Sequence, residues 1–291
     1  HWPWRLQKCP YCDFNSHALP KEENPAERYI EALILDLEKS APLTSNRTLQ
    51  SIFIGGGTPS LIAPRLLDAF LSRANALYPF ADDIEITLEA NPGTADVANF
   101  KAYRQSGVNR LSMGIQSFDD QLLKRLGRVH NRAEALEAIK IARETFENFN
   151  LDLMFALPGQ TITGLKSDLA EALASGSTHL SCYQLTIEPN TVFAKHTPEA
   201  LPDEDLCAQM QDTVVETLQA AGFEHYEVSG YARHGKRCRH NLNYWQFGDY
   251  IACGAGAHSK ITMTDGTIVR ERRFLSLIHI SEPTRRTPIS Y

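Results

Sequence analysis

Ser51-Ile52-Phe53-Ile54-Gly55-Gly56-Gly57-Thr58-Pro59 carries a clear strand-to-helix signal. The apolar run predicts a buried strand, and the glycines and proline after it predict a turn into a helix. A tight turn with positive φ explains one glycine easily and three poorly. Three glycines also let a ligand approach the backbone, where their N–H groups can receive a carboxylate. The Gly-Lys-Ser/Thr ending of a phosphate loop is absent, so a phosphate site is disfavoured.

Apolar runs alternate with segments of helical period on both sides of this turn, as in βα units with parallel strands. The predicted strands lie at residues 51–54, 84–89, 110–115, 151–155 and 179–187. The predicted helices lie at residues 25–40, 64–77, 95–106, 119–126, 132–147 and 165–175. With a sixth strand expected just before His1, the fold class is α/β, a partial six-stranded (β/α) barrel of TIM type whose first strand is missing. Its active face lies at the carboxyl ends of the strands.

The pattern changes after residue 187. A helix is predicted at 204–221, strands at 223–231 and 249–252, and a hairpin turn at Thr264-Asp265-Gly266-Thr267. We therefore divide the chain into a barrel core at 1–190 and a small appended α+β region at 191–274. Residues 275–291 resemble a translated sequencing adapter, and we expect this tail to be non-native. The chain starts without Met and inside a motif, so we also expect further sequence before His1.

The composition is that of an ordinary globular protein, with 291 residues of which 43% are hydrophobic and 22% charged. A net charge of −6 without a basic run argues against nucleic-acid binding. No apolar run reaches the roughly 18 residues that a membrane span needs. Six scattered cysteines do not have the spacing of a disulfide framework, and a reduced, cytoplasmic setting fits them better.

Cys9 and Cys12 form a C-x2-C pair, and Arg5 stands four residues before the first of them. This spacing matches a C-x3-C-x2-C iron–sulfur loop whose first cysteine has become Arg5. Three thiolates hold three irons of a [4Fe–4S] cube and leave the fourth iron open, which two thiolates do not do securely. The pair is also compatible with a redox-active dithiol, half of a zinc site or a loop without metal. The absence of a second such pair weakens the zinc alternative.

Polar residues recur at the ends of otherwise apolar strands, namely Glu89, Gln116 and Asp152. A buried carboxylate or amide is costly without partners, so this recurrence predicts residues that line a site. Arg128 follows the helix predicted at 119–126 and is a candidate partner for a ligand carboxylate. Each of these residues is alternatively a structural cap or a solvated surface charge.

His240-Asn241-Leu242-Asn243-Tyr244-Trp245 brings imidazole, amide, phenol and indole groups into six residues. An imidazole beside aromatic rings is a candidate axial haem ligand with a stacking surface. The alternative is a structural histidine, which is the more frequent case for a lone His. Cys238 and His258 are weaker polar candidates nearby.

Together these residues resemble the radical S-adenosylmethionine (SAM) superfamily, in the branch related to oxygen-independent coproporphyrinogen III dehydrogenase. The resemblance covers His1 to about Phe274. The matching motifs are His1-x-Pro3-Trp4, Gln7-Lys8-Cys9-Pro10-Tyr11-Cys12-Asp13-Phe14-Asn15-Ser16-His17, the turn at 55–59, Glu89-Ala90-Asn91-Pro92-Gly93 and Leu157-Pro158-Gly159-Gln160. Each motif alone is modest evidence for the resemblance, whereas the combination of motifs is highly specific for this branch.

The resemblance implies a [4Fe–4S] cluster, an electron donor that reduces it, and SAM bound to its open iron. Cys9 and Cys12 would be two cluster ligands, with Arg5 at the third position. A guanidinium has no lone pair to give and stays protonated, so Arg5 offsets negative charge but does not bond to iron. The residues assigned to SAM are Tyr11 beside the cofactor, Gly56, Gly57 and Thr58 at its amino-acid end, and Glu89, Gln116, Arg128 and Asp152 along its pocket.

The function that the resemblance implies is that of a haem chaperone, which binds haem through His240 and transfers it to an unidentified acceptor protein. The alternative is the dehydrogenase itself, an enzyme of porphyrin biosynthesis. It is disfavoured because those enzymes have a further cysteine at the position of Phe14. A degenerate member without a cluster is a third possibility, motivated by Arg5. Ala156 is a milder departure, at a position where the family commonly has glycine.

Overall fold

A curled seven-stranded sheet with flanking helices forms the centre of this computed structural model, which describes residues 1–20, 24–44, 47–93 and 97–276. The strands are β1 Trp4–Arg5, β2 His17–Ala18, β3 Leu49–Ile54, β4 Phe80–Ala90, β5 Arg110–Gln116, β6 Phe149–Phe155, β7 His179–Gln184, β8 Glu224–His225, β9 Gly230–Ala232, β10 His258–Thr262 and β11 Ile268–Arg272. The helices are α1 Ala26–Ser40, α2 Pro64–Leu77, α3 Phe100–Gln105, α4 Asp120–Arg125, α5 Arg132–Thr145, α6 Ile162–Ala174, α7 Val192–Lys195, α8 Glu204–Ala220 and α9 Arg239–Trp245.

Strands β3 to β7 lie side by side in chain order and pair in parallel. β9 runs antiparallel to β7, and β8 runs antiparallel to β9. The parallel pairs are joined by helical crossovers, because parallel strands cannot be connected by a tight hairpin. All five predicted barrel strands form, and the predicted α/β partial barrel is confirmed.

The first residues of the chain lie beside the glycine turn that follows β3. Trp2 forms a parallel bridge with Gly56. The Trp2 and Trp4 rings are only 2% and 4% exposed, and both pack edge-to-face against Tyr29 of α1. This packing fixes β1, so that Arg5 and the cysteine loop after it lie over the ends of the barrel strands.

The region after residue 190 extends the barrel sheet through β9 and β8. Its long helix α8 buries Met210, Val214 and Leu218 in the same hydrophobic core as the barrel strands. The predicted hairpin forms as the antiparallel pair of β10 and β11. The domain boundary at residue 190 stays a prediction, because the sheet and the core both continue across it.

Two strands predicted in this region differ from the structure. The segment 223–231 is divided into β8 and β9 by a tight turn. The segment 249–252 forms no strand, and its Tyr250 makes only an isolated bridge to β10. Next to this bridge, the N–H of Thr262 on β10 donates to the carboxylate of Asp249 at 2.7 Å. This N–H therefore bonds to a side chain and not to a backbone carbonyl of the segment 249–252.

Two helical segments also differ from their predictions. The helix predicted at 95–106 appears as the shorter α3, and residues 94–96 lie outside the described residues. The segment 240–245 belongs to helix α9, which we did not predict. No side chain of α9 is fully buried, so its sequence has no apolar face with a helical period that would indicate a helix.

Alternate positions along the parallel strands give the barrel a polar interior. On β5, Leu111 and Met113 are fully buried in the hydrophobic core with the surrounding helices. Arg110, Ser112 and Gly114 occupy the other face and line an internal cavity. Successive side chains of a strand point to opposite faces, so polar residues at every second position line the inside of the barrel.

Ala156 follows β6 with φ of +58°, a left-handed conformation that glycine adopts without penalty. We expect Ala156→Gly to leave the free energy of unfolding within about 0.5 kcal/mol of its original value or to raise it, since relief of strain offsets the lost methyl burial. Ala138→Gly, at a buried position within α5, is the control and should cost roughly 1–2 kcal/mol. Urea unfolding measures both, and equal losses in the two variants would contradict this account.

Candidate cofactor site

A cavity of about 510 Å³ opens at the carboxyl ends of the parallel strands and extends into the barrel. Its walls include all the residues that the sequence assigned to SAM and to the cluster. They are Arg5, Cys9, Tyr11, Cys12, Gly56, Gly57, Thr58, Glu89, Gln116, Arg128 and Asp152. Ligands of α/β barrels bind at this end of the strands, so the placement of these residues fits a cofactor cavity.

The two cysteines lie in a turn above the cavity, closed by a hydrogen bond of 3.1 Å from the N–H of Cys12 to the carbonyl of Cys9. The carbonyl of Pro10 accepts the N–H of Phe193 at 3.0 Å, which ties this turn to α7. Tyr11 lies between the two cysteines, and its ring centroid is 6.3 Å from that of Phe193. Burial raises the pKa of Tyr11 above its usual range, so the phenol is neutral.

Arg5 occupies the space beside the second thiol. Its Nη1 lies 3.2 Å from Cys12 Sγ, and its Nη2 lies 3.3 Å from the carbonyl oxygen of Gly56. The residue is only 6% exposed. Among the described residues, no group of three or more His, Cys, Asp or Glu side chains could hold a metal ion. Two thiols and a cation do not fit a [4Fe–4S] cluster that is held by three cysteines.

Arg128 provides a second guanidinium at the other thiol. Its Nη1 lies 3.6 Å from Cys9 Sγ, and its Nη2 donates to Asn91 Oδ1 at 2.7 Å and to the carbonyl of Gly114 at 2.8 Å. A Cβ added at Gly114 would lie 2.9 Å from Gln116 Nε2 and 3.3 Å from that Nη2, so a larger residue there would displace the ends of these two side chains. Gln116 ends the same strand with φ of +69°, a conformation that is uncommon for a residue other than glycine and that recurs at functional sites.

The N–H groups of the glycine turn are already used within the chain. Gly56 donates to Glu89 Oε2 at 3.0 Å, Gly57 to the carbonyl of Trp2 at 2.6 Å, and Thr58 to the carbonyl of Trp4 at 2.7 Å. In this structure the N–H groups of Gly56, Gly57 and Thr58 are therefore occupied by Glu89, Trp2 and Trp4. Binding of a ligand carboxylate by this turn stays a prediction.

The neighbouring segment also explains why the turn contains several glycines. Gly56 has φ of +123°, and a Cβ added there would lie 2.5 Å from the carbonyl oxygen of Trp2. A Cβ on Gly57 would collide with the backbone carbonyl of Trp4. Close approach of the segment Trp2–Trp4, in addition to any ligand, thus requires glycine at both positions.

Four acidic residues line the cavity, and burial raises the pKa of two of them. Burial raises the pKa of Glu89 to about 7, although the N–H of Gly56 opposes this shift. Burial also raises the pKa of Asp152, whose Oδ1 accepts a hydrogen bond of 2.7 Å from Asn150. A cationic group that enters the cavity would favour the ionised forms of both acids, so this wall is suited to an ammonium or a sulfonium.

His240 lies outside this cavity and lines a second one of about 290 Å³. Its imidazole stacks on Phe53, with 4.4 Å between centroids and 22° between planes, and meets the edge of Tyr244 at 5.0 Å. Phe53 lines both cavities and therefore stands between them. Burial and the charge of Arg110 lower the pKa of His240 to about 4, so the imidazole is neutral at pH 7.

Several residues of the large cavity were missed by sequence reasoning. They are Arg110, Ser112, Asn150, Ser181 and Asn241. The period-two pattern of a strand would have found three of them, because Arg110 and Ser112 precede Gly114 at even spacing and Asn150 precedes Asp152. Asn241 lies on the unpredicted helix α9, so no strand pattern leads to it.

The fold and the cavity define a partial (β/α) barrel protein with a candidate cofactor cavity at the strand ends. The chain belongs to the radical SAM superfamily, whose profile matches residues 6–172. It is 49% identical over 271 residues to the protein named heme chaperone HemW of Escherichia coli K12, a match covering 93% of this chain and 71% of that protein. It is 38% identical to the heme chaperone HemW of Bacillus subtilis, covering 90% and 70% of the two chains.

Solved structures give the same fold. Coproporphyrinogen III oxidase (HemN) from Escherichia coli, described as a radical SAM enzyme, matches with a TM-score of 0.84 and 20% identity. The match covers 100% of this chain and 70% of that one. At this identity the likeness establishes the architecture alone. Within the described residues, every helix is too short or too polar to cross a membrane.

Proposed function

We propose that this chain is a haem chaperone, which binds haem and transfers it to an acceptor protein. One observation carries the proposal: the similarity to proteins named heme chaperone HemW, at up to 49% identity over 93% of the chain. The appended region at 191–274 would hold the haem, and the barrel cavity would hold SAM.

The surroundings of His240 support its proposed role as the haem ligand. A neutral imidazole is the form that coordinates iron, and no described residue forms a hydrogen bond with this ring. Tyr244, Trp245 and Phe247 are 46%, 60% and 58% exposed and supply aromatic surface close to it in the chain. A cavity of about 290 Å³ is at the lower limit for a small-molecule pocket, so haem would lie partly on the protein surface. Partial exposure of the haem suits a ligand that is transferred to an acceptor protein.

The SAM role is proposed for the large cavity. Glu89 and Asp152 would face the positive charges of SAM, and Arg128 would face its carboxylate. Tyr11 would pack against the bound molecule. Arg5 stands where the cluster needs a third thiolate, so the proposed function involves no radical chemistry.

Haem titration tests the proposal. We expect His240→Ala to weaken haem binding at least about tenfold and to shift the Soret band, because the iron loses its axial ligand. His234→Ala removes an exposed histidine of the same region and should bind haem like the original chain. Equal haem affinity in the two variants would reject His240 as the ligand, and an original chain that binds no haem would reject the function.

A further inference from the structure

We propose that Arg110 forms a subsite for the carboxylate group of a second ligand at the inner end of the large cavity. This subsite is separate from the residues assigned to SAM, and it does not depend on the haem role. A carboxylate here belongs either to a small organic acid or to an acidic arm of a larger molecule.

Arg110 is a buried cation in the wall of the large cavity. It is the first residue of β5, is only 2% exposed and lines the cavity. It forms no hydrogen bond or ion pair with any residue in the described ranges, and its Nε is fully buried without an acceptor. Leaving a charge in this state is expensive, so native proteins rarely retain one unless a ligand or a partner completes it.

The polar side chains near Arg110 form hydrogen bonds with one another and none with Arg110. Asn150 donates to Ser112 Oγ at 2.8 Å and accepts from Ser181 Oγ at 3.1 Å and from His179 Nδ1 at 2.7 Å. The other ring nitrogen of His179 lies 2.7 Å from a tyrosine hydroxyl. Burial and the charge of Arg110 hold the pKa of His179 well below its usual range, so this imidazole is neutral and Arg110 is the charged member of the group.

The candidate counter-charges are engaged elsewhere. The charge of Arg110 lowers the pKa of Asp152 against the larger opposing effect of burial, but the Asp152 carboxyl accepts hydrogen bonds from Asn150 and Ser112 and none from Arg110. Glu85 is 8% exposed and accepts the backbone N–H of Arg239 at 2.9 Å and the thiol of Cys238 at 3.6 Å. Thr87, the register partner of Arg110 on β4, has a fully buried hydroxyl without a hydrogen bond. Two buried polar groups without a hydrogen bond, the Nε of Arg110 and the hydroxyl of Thr87, therefore lie on neighbouring strands at the same register.

Charge and shape favour a carboxylate as the ligand group. The planar guanidinium fork matches two carboxylate oxygens, and a bidentate pair of this kind is strong when it is buried. A monoanion balances the single charge of Arg110. A dianion such as phosphate would meet the carboxyl groups of Glu89 and Asp152 in the same cavity, which repel a second negative charge.

Thermal unfolding of the protein without cofactors tests the subsite, with sodium propionate as the probe and sodium chloride at equal ionic strength as the reference. We expect propionate to raise the Tm of the original chain by at least about 2 °C. Arg110→Met should abolish this shift and leave the Tm without ligand equal or higher, because it removes an unpaired buried charge. Arg104→Met removes an exposed arginine and should keep the full shift.

Each other outcome overturns the proposal. If Arg110→Met lowers the Tm or fails to fold, while Arg110→Lys restores the fold without any propionate shift, the arginine has a structural role. If propionate gives no shift in the original chain, the subsite does not exist. If sodium sulfate gives an Arg110-dependent shift as large as that of propionate, the site is a general anion site and the carboxylate assignment is wrong.

Discussion

Arg5→Cys is expected to raise the iron and sulfide content of anaerobically reconstituted protein to about four of each per chain. The original chain should hold far less, because two thiolates leave the cube without its third ligand. Residue 5 lies on β1 beside the cavity, and its guanidinium is 3.2 Å from Cys12 Sγ. Replacing it by a thiol removes a positive charge and supplies the missing ligand from the same strand.

Arg5→Ser is the matched control for this experiment. Serine removes the same guanidinium and has nearly the size of cysteine, but it provides no thiolate. We expect Arg5→Ser to hold no more iron than the original chain. Metal analysis, labile sulfide and the electron paramagnetic resonance spectrum of the reduced protein would distinguish the variants. Equal iron in the cysteine and serine variants would mean that the loop around Cys9 does not form a cluster site.

The arrangement of the barrel could be predicted from the sequence because each signal was local. Apolar runs separated by helical periods predicted β3 to β7, and the helix predicted at 64–77 has the observed bounds of α2. Glu89 and Gln116 could be grouped in advance, since parallel strands bring their carboxyl ends to one edge. The prediction that Asp152 ends its strand is wrong, because it lies in the middle of β6 and reaches the cavity from the inner face of that strand. The structure brings all three to the same cavity.

The features that the sequence did not predict depend on contacts between distant parts of the chain. Nothing near Gly57 in sequence indicates that Trp4 lies against it, or that the carbonyl groups of Trp2 and Trp4 accept the N–H groups of Gly57 and Thr58. The lone charge of Arg110 is likewise visible only when its neighbours are known to be paired with one another. Helix α9 is stabilised by tertiary contacts such as the stacking of His240 on Phe53, and these contacts leave no periodic pattern in the sequence.

Gly57→Ala is expected to lower the free energy of unfolding by roughly 2–4 kcal/mol, an effect comparable with other severe core substitutions. The added methyl would collide with the backbone carbonyl of Trp4, which cannot move as a flexible side chain would. Relief of this clash would shift β1 and would disturb the buried packing of Trp2 and Trp4 against Tyr29.

Gly93→Ala is the control, because a Cβ at Gly93 meets no described residue within 4 Å and its backbone is not left-handed. This change should be neutral or slightly stabilising, since alanine restricts the unfolded chain. Urea unfolding compares the two variants. In the Arg5→Cys background, Gly57→Ala should also reduce iron incorporation, because β1 carries the new thiol. If Gly57→Ala unfolds like Gly93→Ala and keeps full iron content, the glycine turn does not position β1, and its glycines serve the ligand instead.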